Sequence, residues 1–260
     1  MLTLDDAPYP AKSRDGISAL HKARLPIAVE RARRSAYFKG KLDHIDLDRL
    51  DDPNEWRKIP IMTKDQLREV PADRFYEDFC IAPRADVVEY WRSGGATGRP
   101  LFYPRSAEDM HYGMEGFRRL IRAPGCTRDD IVHISFPMGI HPVGHLYARA
   151  AEELGLATIW CGAGNNTPSE LQIDLIRTLK PTVWAGMASY GLQLAQTAER
   201  IGFDLAGSSV TRFLTAAEPV SPGKRERIER MWGAKLFDQF GCTEGSAMGS
   251  ESDAHDGMHF

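Results

Sequence analysis

The sequence predicts an α/β fold: a layered, largely parallel sheet with flanking helices, preceded by a helical segment. Two observations carry this expectation. From Asp86 onward, short apolar runs alternate with stretches of helical periodicity, as strands joined by crossover helices do. Before that point the chain is rich in charge, and its apolar residues recur at helical spacing. The expected division is 1–85 for the helical segment and 86–260 for the α/β core.

The first region reads as follows. Residues 17–37 have helical spacing, with Pro26 as an interruption or the start of a second helix. Asp51-Asp52-Pro53-Asn54 reads as a turn. Thr63 ahead of Lys64-Asp65-Gln66 has the form of a capping box opening a short helix. In the core, strands are expected over 87–91, 131–136, 157–160, 182–185 and 210–214. Helices are expected over 109–122, 146–154, 169–179, 189–201 and 222–232, several of them opening after Ser, Thr or Pro. Ligands of such sheets bind beyond the carboxyl ends of the strands. The loops after Trp91, Phe136, Trp160, Ala185 and Leu214 are therefore where function is expected.

Composition narrows the classes. With 42% hydrophobic and 27% charged residues in 260, the chain has the balance of an ordinary globular protein. A net charge of −3 removes the electrostatic case for nucleic acid as a partner. The basic runs 31–34 and 224–227 are short and read as solvated helix faces. Four cysteines without a Cys-x-x-Cys pair point to a reducing compartment rather than a disulfide framework or structural zinc. The N-terminus lacks the basic start and apolar run of a secretory signal, and no stretch nears the ~20 apolar residues of a membrane span. The expectation is a cytoplasmic protein without a membrane partner.

The loop Ser93-Gly94-Gly95-Ala96-Thr97-Gly98-Arg99-Pro100 follows the first expected strand. Glycines let the backbone approach a bulky anion and turn successive N–H groups inward. Ser93 and Thr97 add hydroxyls, and Arg99 adds a planar cation suited to phosphate. The segment fits a loop for a nucleotide's phosphates, those of ATP above all. It is not a P-loop, because Arg99-Pro100-Leu101-Phe102-Tyr103 follows as a second strand rather than a helix. Nor is it Gly-x-Gly-x-x-Gly. On glycine content alone, a tight hairpin without a ligand is an equal reading.

The octapeptide resembles the Ser-Ser-Gly-Thr-Thr-Gly-Lys-Pro signature of adenylate-forming enzymes, the acyl-CoA synthetase superfamily, and further signatures follow in order. Residues 131–144, with Phe136-Pro137-Met138-Gly139, resemble the segment lining the acid pocket. Lys180-Pro181-Thr182-Val183 and Ala188-Ser189-Tyr190 resemble the Lys-Pro-Thr … Pro-Ser-Tyr stretch of phenylacetate–CoA ligases. Ala216-Ala217-Glu218-Pro219 is similar to the Gly-Ala-Glu-Pro adenine loop. Asp238-Gln239-Phe240-Gly241-Cys242-Thr243-Glu244 is similar to Asp-x-Tyr-Gly-x-Ser/Thr-Glu. The likeness runs from about Pro60 to the last residue.

The resemblance implies an acid–thiol ligase of the AMP-forming kind. A substrate carboxylate attacks the α-phosphorus of ATP to give an acyl-adenylate and pyrophosphate, and the thiol of coenzyme A then displaces AMP. The nucleophile comes from the substrate, so the protein positions it and stabilises charge. Thr243 and Glu244 take the catalytic roles, with Glu244 on Mg²⁺. The loop from Ser93 to Arg99 binds the phosphates. Ala217, Glu218 and Pro219, with Asp238, Gln239, Phe240 and Gly241, form the adenine side, Phe240 offering a ring for stacking. Phe136, Pro137, Met138, Ala185, Gly186, Ser189 and Tyr190 line a pocket for an aromatic or hydrophobic carboxylic acid. The family favours a homodimer.

Departures are also legible. Gly94 and Ala96 replace hydroxyl residues, Arg99 replaces lysine, and Thr215 stands where glycine is usual, narrowing the pocket. The family's ribose-binding Asp, hinge and Lys-bearing C-terminal domain lie beyond this sequence. The resemblance therefore implies an N-terminal portion that is inactive alone. Two other classes compete: a non-catalytic ligand-binding or interaction module that keeps the fold, and a metal-dependent hydrolase using His133, His141 and His145. Against the second, the pair His141/His145 lacks the Glu of His-Glu-x-x-His, and Pro142 disfavours a helix interior.

Overall fold

The computed structural model describes residues 13–93 and 101–260. It separates into two compact units, one of residues 1–90 with 95–107, the other of 91–94 with 108–260.

The first unit is mostly helical. α1 (Arg14–Arg33) is capped by the Ser13 hydroxyl, which accepts the Gly16 N–H at 3.1 Å. It runs through Pro26 without breaking, contrary to the expected interruption. A proline inside a helix removes one backbone bond, and packing of Val29 with Leu42, Ile45 and Leu50 holds the helix across the gap. Arg33 is not the solvated cation its basic run implied, since its guanidinium donates to the carbonyls of Leu42 and Ile45. The expected turn at 51–54 opens the short helix α2 (Pro53–Trp56), capped by Asp52. α3 (Lys64–Glu69) begins with the capping box read from Thr63 and Gln66. α4 (Phe75–Phe79) packs Phe75 with Leu67 and Leu101. β1 (Val87–Arg92) and β2 (Phe102–Ser106) form a two-stranded ribbon.

The second unit opens with α5 (Ala107–Arg122) and continues as β3 (Ile131–Ile134), α6 (Pro142–Glu153), β4 (Ala157–Trp160), α7 (Ser169–Leu179), β5 (Val183–Ala185), α8 (Ala188–Arg200), β6 (Arg212–Thr215), α9 (Pro222–Trp232), β7 (Lys235–Cys242), β8 (Ser246–Glu251) and β9 (Met258–His259). α6 begins earlier than its expected 146, because Pro142 takes the first helical position, where its missing N–H costs nothing. The hairpin β7–β8 and the strand β9 were not expected; the residues after 244 carry no alternating apolar pattern.

The sheet has the order β4-β3-β5-β6-β7-β8-β9. The first five strands are parallel, with Ile134, Ala185, Leu214 and Phe237 in register, and the last two join antiparallel. Along β3 the side chains alternate between two helical layers. Phe136, just past the strand, stacks on Tyr147 of α6, whereas His133 bonds Gln172 of α7. The α7–α9 layer closes over Trp184, Phe213 and Trp232, whose rings lie 4.4–5.2 Å apart.

This order defines a crevice. The chain leaves β3 for β4 on one side and returns to β5 on the other, so consecutive crossovers run in opposite directions from β3. A doubly wound sheet opens at such a switch point, beyond the carboxyl ends of the strands. Here the point lies between β3 and β5.

Candidate active site

The described candidates all fall in the second unit: Ser93 after β1, the others at or just past the ends of β3, β5 and β6, along β7 and in the β7–β8 turn. Ser93 is buried at the end of β1. Gly94, Gly95, Ala96, Thr97, Gly98 and Arg99 lie outside the described residues.

Two stretches expected to line an acid pocket border the switch point. Phe136, Pro137 and Met138 follow β3, and Ala185, Gly186, Ser189 and Tyr190 close β5 and open α8. Phe136 and Ala185 are wholly buried, Pro137, Met138 and Tyr190 partly so, and Ser189 is exposed. Gly186 has no room for a side chain, since a Cβ would lie 2.4 Å from the Trp184 ring. The loop after β3 is held by His145, which bonds the backbone of Gly139 at 3.1–3.2 Å. His141 faces Arg92, its Nε2 at 3.4 Å from the guanidinium. His133 faces Gln172 in the core. The three histidines thus have three separate partners. Among the described residues no group of His, Cys, Asp and Glu gathers as for a metal ion.

The turn after β6 carries Ala217, Glu218 and Pro219. Ala217 has φ of +73°, a left-handed conformation that costs a non-glycine residue about 1 kcal/mol. Glu218 is engaged twice: its carboxylate accepts the Ser189 N–H at the start of α8 and pairs with Lys224 of α9 at 3.3 Å. Thr215, at the end of β6, is fully buried, and its hydroxyl has no partner. Buried hydroxyls are nearly always bonded, so this one fits a group that takes the place of a protein partner.

On β7 the candidates separate. Gln239 is buried and turned to the core: its amide donates to the Leu120 carbonyl and to Ser250, and accepts from the Tyr147 hydroxyl. Its side chain is therefore not offered to a nucleotide. Burial, then Glu251, pushes the half-buried Asp238 carboxyl above its usual value. Phe240 is 49% exposed, which suits a stacking surface better than a core position. Gly241 follows a register shift against β8. Thr243 and Glu244 lie half-buried in the β7–β8 turn; Glu244 sits on a hairpin, not at a helix start. The hairpin rests on α5, where a Cβ on Gly116 would stand 2.7 Å from the Ala247 carbonyl oxygen.

Sequence reasoning missed Gln172. It is fully buried on α7 beside Ile173 and Ile176, a polar residue on an otherwise apolar helix face. That incongruity was the only available signal.

Fold and candidate site together define an α/β domain with its crevice at a switch point. The chain belongs to the AMP-binding enzyme family, whose match covers residues 35–258. It is 29% identical over 241 residues to a phenylacetate–coenzyme A ligase of Escherichia coli (strain K12), covering 91% of this chain and 54% of that one. A phenylacetate–coenzyme A ligase of Pseudomonas putida is 31% identical over 187 residues, 72% of this chain and 41% of that one. The chain spans about half the length of the curated relatives it matches. A 2-hydroxyisobutyryl-CoA ligase, solved in complex with 2-HIB-AMP and CoA, shares the fold with a TM-score of 0.87. That match is 20% identical and covers 95% of this chain and 59% of the other. No helix among the described residues is long and apolar enough to cross a membrane.

Proposed function

We propose that this chain is the ATP- and acid-binding portion of an AMP-forming acid–CoA ligase acting on an aromatic or other hydrophobic carboxylic acid. The observation that carries this reading is the switch point, whose two borders are the stretches Phe136–Met138 and Gly186–Tyr190 expected to line an acid pocket. The unpartnered Thr215 hydroxyl at the neighbouring strand end supports a polar ligand there.

In this reading the acid lies between those borders, with its carboxylate toward the strand ends. Phe240 stacks the adenine, and the Ala217–Pro219 turn edges it. Thr243 bonds a phosphate oxygen. A carboxylate beside substrate phosphates is the donor set that magnesium favours, and Glu244 would hold the ion. Bound magnesium supplies charge neutralisation at the phosphates. The protein's part is orientation: it holds carboxylate oxygen and α-phosphorus within attacking distance and excludes water. AMP is the product when the thiol of CoA takes the acyl group.

Titration calorimetry with Mg-ATP and with a phenylacetyl-adenylate analogue tests this. Wild type is expected to bind both, and Glu244→Ala to weaken Mg-ATP at least tenfold while leaving phenylacetate binding within about twofold. No binding of wild type at millimolar nucleotide would refute the reading. Acid binding without nucleotide binding would make the chain a ligand-binding module instead.

A further inference from the structure

One polar network in the second unit is not absorbed by the reading above, although it touches a pocket residue. At its centre is the Gln172 side chain, wholly buried between α7 and the sheet. Its Nε2 lies 2.9 Å from the Gly162 carbonyl, 3.1 Å from the Thr167 carbonyl and 2.9 Å from the Tyr190 hydroxyl. Carbonyls only accept, which fixes the amide's orientation. Its Oε1 therefore faces His133 Nε2 at 3.1 Å and Ser135 Oγ at 2.7 Å, and both must donate. His133 thus carries a proton on Nε2, and its buried Nδ1 has no partner among the described residues to receive a second one. Burial pushes its pKa down to about 4, consistent with the neutral form.

The amide joins three parts of the fold: the end of β3, the turn over 162–167 that follows β4, and the first turn of α8. Tyr190 is the member that reaches the pocket. Its oxygen accepts one of the two Gln172 amide protons, the other being shared between the Gly162 and Thr167 carbonyls, and this leaves its own proton for Ser169 Oγ at 3.3 Å. The 162–167 turn lies flat against the ring edge, where a Cβ on Gly164 would stand 3.1 Å from Tyr190 Cε2. The ring is held at its hydroxyl and along one edge and remains partly exposed.

We propose that Gln172 is a positioning residue for the acid pocket. By gripping the Tyr190 hydroxyl and the 162–167 turn together, it sets the orientation of the ring against which the acid's apolar part packs. This rests on the acid-pocket reading given above. It assigns pocket shape to a residue that touches no ligand, and it separates acid recognition from nucleotide recognition, since no bond of the amide reaches the 217–219 turn or the β7–β8 hairpin.

The test is a double-mutant cycle read on phenylacetate and Mg-ATP affinities in the full chain. Gln172→Met removes the hydrogen bonds at similar volume, and Tyr190→Phe removes only the gripped hydroxyl. Each is expected to weaken phenylacetate about tenfold, the loss of one buried hydrogen bond, with Mg-ATP affinity changed less than twofold. The double variant is expected to be no weaker than either single, because both cut the same link. Fully additive losses, or equal losses for acid and nucleotide, would show a merely structural role and overturn the proposal. Should Gln172→Met not fold, Tyr190→Phe decides alone: unchanged phenylacetate affinity overturns the proposal. Failure of wild type to bind phenylacetate removes the pocket reading, and the proposal with it. Wild-type binding with indifferent variants removes the proposal alone.

Discussion

The two ends of the parallel sheet are built on opposite terms. At the amino end, polar groups are tied off. Asp130, 7% exposed, accepts from the Thr127 N–H at 2.7 Å and the Thr182 hydroxyl at 2.6 Å, and pairs with Arg212 at 3.4 Å. Arg212 also donates to the Pro124 carbonyl. Arg225 grips both oxygens of Glu251 and the Leu236 carbonyl, so within the run 224–227 it is engaged rather than solvated, while Glu226 and Arg227 are exposed as expected. At the carboxyl end groups such as Glu218 are also engaged, but the Thr215 hydroxyl is orphaned, Ala217 is left-handed and Phe240 stands half in solvent. One end is finished by the protein, and the other is left for something else to complete.

Substitutions at the two ends should therefore differ in kind. The largest effect is expected from Asp130→Ala, which strands the partly buried Arg212 and the Thr182 hydroxyl. It should cost about 3–4 kcal/mol of stability in denaturant unfolding, with phenylacetate and nucleotide affinities of the folded fraction unchanged. A smaller loss, or a loss of affinity, would break the contrast.

His133 lies between the ends and gives an acid-side test. Its folded pKa near 4 is below the unfolded value of about 6.5, so below pH 6.5 the unfolded chain takes up a proton that the folded chain refuses. This residue's contribution is complete above pH 6.5 and falls away toward pH 4. Measured against wild type from pH 7 to 4, His133→Gln should lose about 2–3 kcal/mol less. Parallel stability curves for the two proteins would contradict the neutral buried imidazole.

The smallest effect should be Thr215→Val. Removing a buried hydroxyl without a partner should raise stability by up to about 1 kcal/mol, while nucleotide or acid affinity falls. Stability and binding moving together would show that the hydroxyl serves the fold.

The core from β3 to α9 was legible because each buried strand and each amphipathic helix is a local pattern, whereas β7 was not among the expected strands. Ser169–Leu179 and Pro222–Trp232 appear as expected, since proline, serine and glycine mark their ends. Pro26 misled because packing of Val29 outweighs one lost backbone bond. The β7–β8 hairpin was illegible because Ser246–Glu251 is small and polar, its pairing dictated by β7 and α5 rather than by its own sequence. In the candidate site, motif residues could be named from the chain, but what their side chains do could not. Gln239 and Gln172 show this. Both are buried amides whose partners lie far away in sequence, such as Leu120 for one and His133 for the other.

The contact between α5 and the hairpin has a consequence for how such a chain drifts over generations. Gly116 and the backbone of Ala247 share a space too small for one more methyl group. Variation at the helix position is thus inherited as a displacement of the turn bearing Thr243 and Glu244. A side chain larger than glycine at 116 therefore requires the hairpin to shift, so the two positions are sterically linked.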